Sequence, residues 1–162
     1  MKSMQWLLLL VVLLPGGLIA QSNKEIFQYN WSGFSVQDAA GLTRDGKIYI
    51  TQRIKIRINN DNTLTGTNVA VFRFDSLNYT REVVVKGRYY PDKQEIYIEE
   101  DYVEIAQPLP YGLFWCPGKG NLRVVRHPQK PGRYLLKGTI YGYGAGCETV
   151  SEMELEGGPS GK

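Results

Sequence analysis

The sequence predicts an all-β protein: an antiparallel meander of about eight strands closed as an up-and-down barrel, with a β-sandwich as the alternative arrangement. Three observations carry that expectation. Apolar residues alternate with polar ones at a period of two through KIYITQRIKIRI (residues 47–58). Turn residues punctuate the chain at short, regular intervals. Helical periodicity is nearly absent, SVQDAAG (35–41) being the one candidate helical turn. Consecutive hairpins without helical crossovers give an antiparallel sheet that must close on itself or fold against another.

The first strand is placed at IFQYNWSGF (26–34) and the second at 47–58. In the second, Ile48, Ile50, Ile54, Ile56 and Ile58 share one parity, while Lys47, Tyr49, Thr51, Arg53, Lys55 and Arg57 share the other. Branched apolar residues at that period fit a strand buried on one face. At ~3.4 Å per residue it would span roughly 40 Å, a length that favours a coiled barrel. NNDNT (59–63) forms a turn, because Asn and Asp tolerate left-handed backbone and close Asx turns. LTGTNVAVFRF (64–74) returns, then EVVVKGRYY (82–90), the turn Pro91-Asp92-Lys93, and QEIYIEE (94–100). Ile96 and Ile98 have the opposite parity to Val103 and Ile105, which predicts a bulge at Glu99-Glu100-Asp101. NLRVVRH (121–127), GRYLLKGTIYGY (132–143) and CETVSEMEL (147–155) complete the series.

The ends bound the compartment. Residues 1–20 read as a secretory signal peptide: Lys2, the apolar run Trp6–Leu14, the break Pro15-Gly16-Gly17, and Leu18-Ile19-Ala20 before a cleavage point. That run is too short to span a bilayer as a stable helix, so no transmembrane anchor is expected. The expectation is a secreted or periplasmic protein, one domain over 21–156 and a flexible Gly-rich tail over 157–162. A formal net charge of +3 is too small to argue for nucleic acid.

Trp31-Ser32-Gly33 on the first strand, and Asn62-Thr63-Leu64-Thr65-Gly66-Thr67 at a turn and third-strand start, resemble the calycin barrels, the group of lipocalins and avidins. The resemblance implies a small exported barrel across most of residues 21–156. Lipocalins place Gly before Trp, whereas here Gly33 follows Trp31. Avidins surround biotin with several tryptophans, and beyond residue 20 this chain has Trp31 and Trp115 alone. The resemblance therefore transfers no ligand and no binding residue.

The chemistry turns on YGLFWCPGKG (111–120). A thioredoxin-like site needs a second cysteine after two intervening residues, and that position holds Lys119, where no helical pattern begins. A phosphate loop needs four residues between its glycines and a hydroxyl after Lys, but five separate Gly112 from Gly118 and Gly120 follows Lys119. Two cysteines in an exported domain point to a structural disulfide between Cys116 and Cys147. Closing a loop of about thirty residues would stabilise the fold by roughly 3–4 kcal/mol.

That pairing gathers Tyr111, Phe114 and Trp115 with Tyr141 and Tyr143, candidate ligand-binding rings at a barrel mouth. Arg53, Lys55 and Arg57 form a basic row suited to a partner surface or to keeping the sheet soluble. Glu95, Glu99, Glu100, Asp101 and Glu104 form an acidic cluster, expected to pair with Arg53, Lys55, Arg57 or Arg88 rather than to hold a metal. His127, the sole histidine, sits in a turn without a nucleophile elbow elsewhere. Asn30 and Asn78 stand in glycosylation sequons. No catalytic residue, metal site or cofactor is expected. The expected function is an exported, non-enzymatic binding protein for a small, largely apolar molecule in a lipocalin-like barrel. The alternative is a secreted protein-interaction module, such as a hydrolase inhibitor acting through its loops; a carboxylate-dependent glycosidase ranks third.

Overall fold

The computed structural model describes residues 24–39, 43–110 and 112–159. The expected signal peptide lies outside them. Among the described residues eight strands run in chain order: β1 (Asn30–Asp38), β2 (Lys47–Ile58), β3 (Thr63–Phe74), β4 (Leu77–Tyr90), β5 (Glu95–Ala106), β6 (Gly118–Arg126), β7 (Tyr134–Gly142) and β8 (Val150–Gly157). Each pairs antiparallel with the next and β1 pairs with β8, closing the barrel and excluding the sandwich.

Alternation decides what lies inside. Ile48, Ile54, Ile56 and Ile58 of β2 are buried, and Leu64, Ala70 and Phe72 of β3 continue the wall. One end is packed solid: Trp31, Ile54, Leu64, Val85, Ile96, Leu122, Leu136 and Leu155 are almost completely excluded from solvent. A helical turn at residues 24–26 caps this end, in place of the expected strand start at Ile26. It is held by hydrogen bonds from the amides of Gln28 and Tyr29 to the carbonyls of Glu25 and Ile26. The turn drives Phe27 into the core, and the Trp31 indole donates to the Phe27 carbonyl at 3.0 Å. Gly157, expected in the tail, is the last residue of β8; a Cβ there would stand 2.6 Å from the Trp31 ring.

Two further differences follow from pairing. Ser35–Asp38 extend β1 instead of forming a helical turn, because β2 supplies partners as far as Asp38 opposite Lys47. Strand β4 starts at Leu77, since Asp75 and Ser76, with φ of 46° and 66°, close a two-residue hairpin turn. The expected bulge is present. The β4–β5 register shifts twice, Val84 and Val85 facing Tyr102 and Glu100 and so leaving Asp101 unmatched. Val103 and Ile105 emerge exposed on the far side of it. Strands β5 and β6 pair only from Glu95 opposite Arg123 to Glu99 opposite Lys119, so among the described residues the upper half of β5 pairs with β4 alone.

Candidate ligand-binding cavity

At the end opposite Trp31 the interior is not filled. A cavity of about 320 Å³ lies between the packed core and the loops that follow β5 and β7. Ile48 and Ile50 of β2 with Ala70 and Phe72 of β3 form an apolar wall. Leu109, Leu113 and Trp115, from the β5–β6 connection, lie across it.

The disulfide Cys116–Cys147, 31 residues apart in sequence with Cα atoms 5.4 Å apart, ties that connection to the β7–β8 loop as expected. Trp115 is further fixed by its indole N–H, which donates to the Gln107 carbonyl at 2.9 Å. Its ring covers the Arg81 guanidinium at 5.2 Å from the ring centroid. The connection is therefore anchored by sulfur, by side chains and by single backbone bonds at its two ends, Gln107 N–H to the Thr80 carbonyl and Tyr143 N–H to the Pro117 carbonyl, rather than by a sheet ladder.

The floor is polar. Glu100 continues the inward parity of Ile96 and Ile98, just before the bulge, and meets Arg81 of β4 at 2.9 Å. One carboxylate oxygen of Glu100 accepts from the Arg81 Nη2 and the Asn68 amide; the other accepts from Arg81 Nη2 and, at 2.7 Å, the Gly118 backbone N–H. Arg81 Nη1 donates to the Cys116 carbonyl at 2.7 Å, linking the floor to the stapled loop. Gln52 donates to Ser35 Oγ at 2.9 Å. Among the described residues three buried atoms of this layer have no protein partner: Gln52 Oε1, Asn68 Oδ1 and Arg81 Nε. Each such group costs about 1–3 kcal/mol when left unpaired.

The aromatic residues of the expected mouth divide. Trp115 and Phe114 line the cavity, Phe114 being more than half exposed. Tyr143 is spent on structure: its hydroxyl donates to the Glu100 carbonyl and Lys119 lies over its ring. Burial, followed by the charges of Glu99, Glu100 and Asp101, pushes its phenol above the usual range. Tyr141 is exposed on the outer face of β7, beside a shallow groove with Tyr97 and Lys119. Tyr111 lies outside the described residues.

Arg53, Lys55 and Arg57 project from the exposed face of β2. They do not pair with the acidic cluster, because β5 is flanked by β4 and β6. Its partners are Arg81 for Glu100, Lys86 for Asp101 and Arg123 for Glu95. His127 accepts from the Gln129 amide in the β6–β7 turn, at the closed end. Asn30 and Asn78 are both exposed. Among the described residues no group of His, Cys, Asp and Glu is arranged to hold a metal ion.

The polar floor escaped the sequence reading although its signal was present. Gln52 interrupts the isoleucines of β2, Asn68 interrupts Leu64, Ala70 and Phe72, Arg81 precedes Val83 and Val85, and Glu100 follows Ile96 and Ile98. Each is a polar residue on the inward parity of its strand, and the four strands are neighbours.

No protein-family model matches the chain, and no significant match emerges among curated proteins. The likeness to calycins is one of architecture: an all-antiparallel, eight-stranded closed barrel. The disulfide fits a secreted or periplasmic protein, and no described helix is long and apolar enough to cross a membrane.

Proposed function

We propose that this is an exported, non-enzymatic binding protein that holds a small, largely apolar molecule inside a lipocalin-like barrel. The observation that carries the reading is the cavity of about 320 Å³ beneath a disulfide-anchored loop, walled by Ile48, Ile50, Ala70 and Phe72. Small-molecule sites have volumes from about 300 Å³ upward, mostly apolar walls and a few placed polar groups. A barrel closed at one end by packing and at the other by a loop is suited to keeping such a molecule from water.

The glycosidase alternative gains little support. Such a mechanism requires two carboxylates free to trade protons. Glu100 is committed to four hydrogen bonds, and the other lining carboxylate, Asp38, ends β1.

Native mass spectrometry of protein purified from an exporting host tests the proposal. The expected spectrum contains an adduct of one small organic molecule, lost on gentle activation, on a protein with its disulfide intact. Protein that carries no adduct and takes up no added 1-decanol, decane or decanoate would remove the binding function. Stable association with a hydrolase in its place would install the protein-interaction alternative.

A further inference from the structure

The floor of the cavity says which end group the bound molecule carries. We infer that the ligand has an uncharged head able both to donate and to accept a hydrogen bond, such as a hydroxyl, and that a carboxylate head is rejected. This rests on the proposal that the cavity binds an apolar molecule.

Arg81 and Gln52 both line the cavity, and both are more than nine-tenths buried. Arg81 Nε offers a donor and Gln52 Oε1 an acceptor, neither with a protein partner among the described residues. Asn68 Oδ1, one inward position closer to the packed end of β3, is a second unmatched acceptor. Gln52 and Arg81 stand on either side of Ala70, and a hydroxyl has a complement for each: its oxygen can accept from the guanidinium and its proton can go to an amide oxygen.

Charge decides against an anion. Arg81 is already neutralised by Glu100, which binds Nη2 through both oxygens at 2.9 Å. A carboxylate beside Arg81 would put two buried anions around one cation. It would also turn lone pairs toward Gln52 Oε1, where a donor is required. A cationic head fails for the complementary reason, since it would put two buried cations around the single Glu100 anion. The apolar body is short. At about 30 Å³ for a water-sized group, the cavity takes on the order of ten heavy atoms.

Calorimetric titration of the full exported chain with 1-decanol, decane and decanoate at neutral pH tests this. These probes share a chain and differ in the head. Decanol is expected to bind about tenfold tighter than decane, the effect of one or two net hydrogen bonds, and at least as far ahead of decanoate. Gln52→Met, which keeps the side-chain length and removes one acceptor while leaving the Arg81 donor, is expected to narrow the lead of decanol over decane. Equal affinity of decanol and decane in the unaltered protein would mean that water satisfies these atoms, and would overturn the inference. Decanoate binding as tightly as decanol would overturn it equally. In both cases the apolar cavity function stands. Failure of all three probes to bind would remove that function, and the inference with it. The comparison within the unaltered protein holds even if the Gln52 variant does not fold.

Discussion

Arg81 and Glu100 show how a single polar pair organises this barrel. Their side chains are 6% and 9% exposed, and the guanidinium also reaches the Cys116 carbonyl. Arg81→Met leaves the Glu100 charge buried without its partner, a change that costs about 3–5 kcal/mol. Urea unfolding is expected to record that loss, and the double variant Arg81→Met, Glu100→Gln to recover much of it; equal losses in both would dissociate the pair from stability. At the other end, Gly157→Ala pushes a methyl group into the Trp31 ring. The expected penalty is about 1–3 kcal/mol, read as a lowered thermal midpoint, because a closely packed core has no room to relax. Trp31 itself is recognisable from sequence as a strand aromatic. The need for glycine opposite it is not, because Gly157 is distant in the chain and its GGP surroundings look like a frayed terminus.

Among elements, the long strands were readable and their ends were not. Twelve residues of β2 alternate without error except at Gln52, so burial and register follow directly from the pattern. The β3–β4 turn is hidden because Asp75-Ser76 adopts left-handed backbone without a glycine to announce it. The loop after β5 is legible only through its cysteine. Cys116→Ser with Cys147→Ser is expected to lower stability by about 3–4 kcal/mol in the chain-entropy model and to shorten ligand residence, measured by denaturant unfolding and competition kinetics. Unchanged dissociation would show that the hydrogen bonds of Trp115, Arg81 and Gly118 hold the loop without the disulfide. At the closed end, Glu156 of β8 is gripped by Lys130 and Arg133 from the β6–β7 turn. Hydrogen bonds from Lys130, then Arg133, hold its carboxyl below the usual range. A folded-state value below the unfolded one means the contribution is present above the ordinary value of 4.5 and is lost as pH falls through the folded value. Carboxyl-carbon NMR titration is expected to place the Glu156 midpoint below 4.5, and a midpoint at or above it contradicts the grip.

At the scale of the whole molecule, the sequence pattern specifies a barrel but not how full it is. Strand periodicity separates inside from outside; it says nothing about whether facing side chains meet across the axis. Here they meet around Trp31 and fall short around Ile48, Ile50 and Ala70, a difference that depends on which strands end up opposite one another. Polar residues at inward parity are the usable clue, since four neighbouring strands do not each place one inside without a common partner.

The incomplete pairing of β5 with β6 gives the cylinder a seam. Below Glu99 the two strands are laced; above it, among the described residues, Glu100–Ala106 are laddered to β4 only, with the Tyr143 hydroxyl on the Glu100 carbonyl. An open strand edge invites another chain to add itself, and proteins blunt such edges with bulges and charge. This one has both, in two register shifts and in Asp101 and Glu104. The barrel should therefore breathe by unzipping sideways along this seam while its far wall stays shut. Hydrogen exchange of the β5 amides would then trace the route by which a guest leaves.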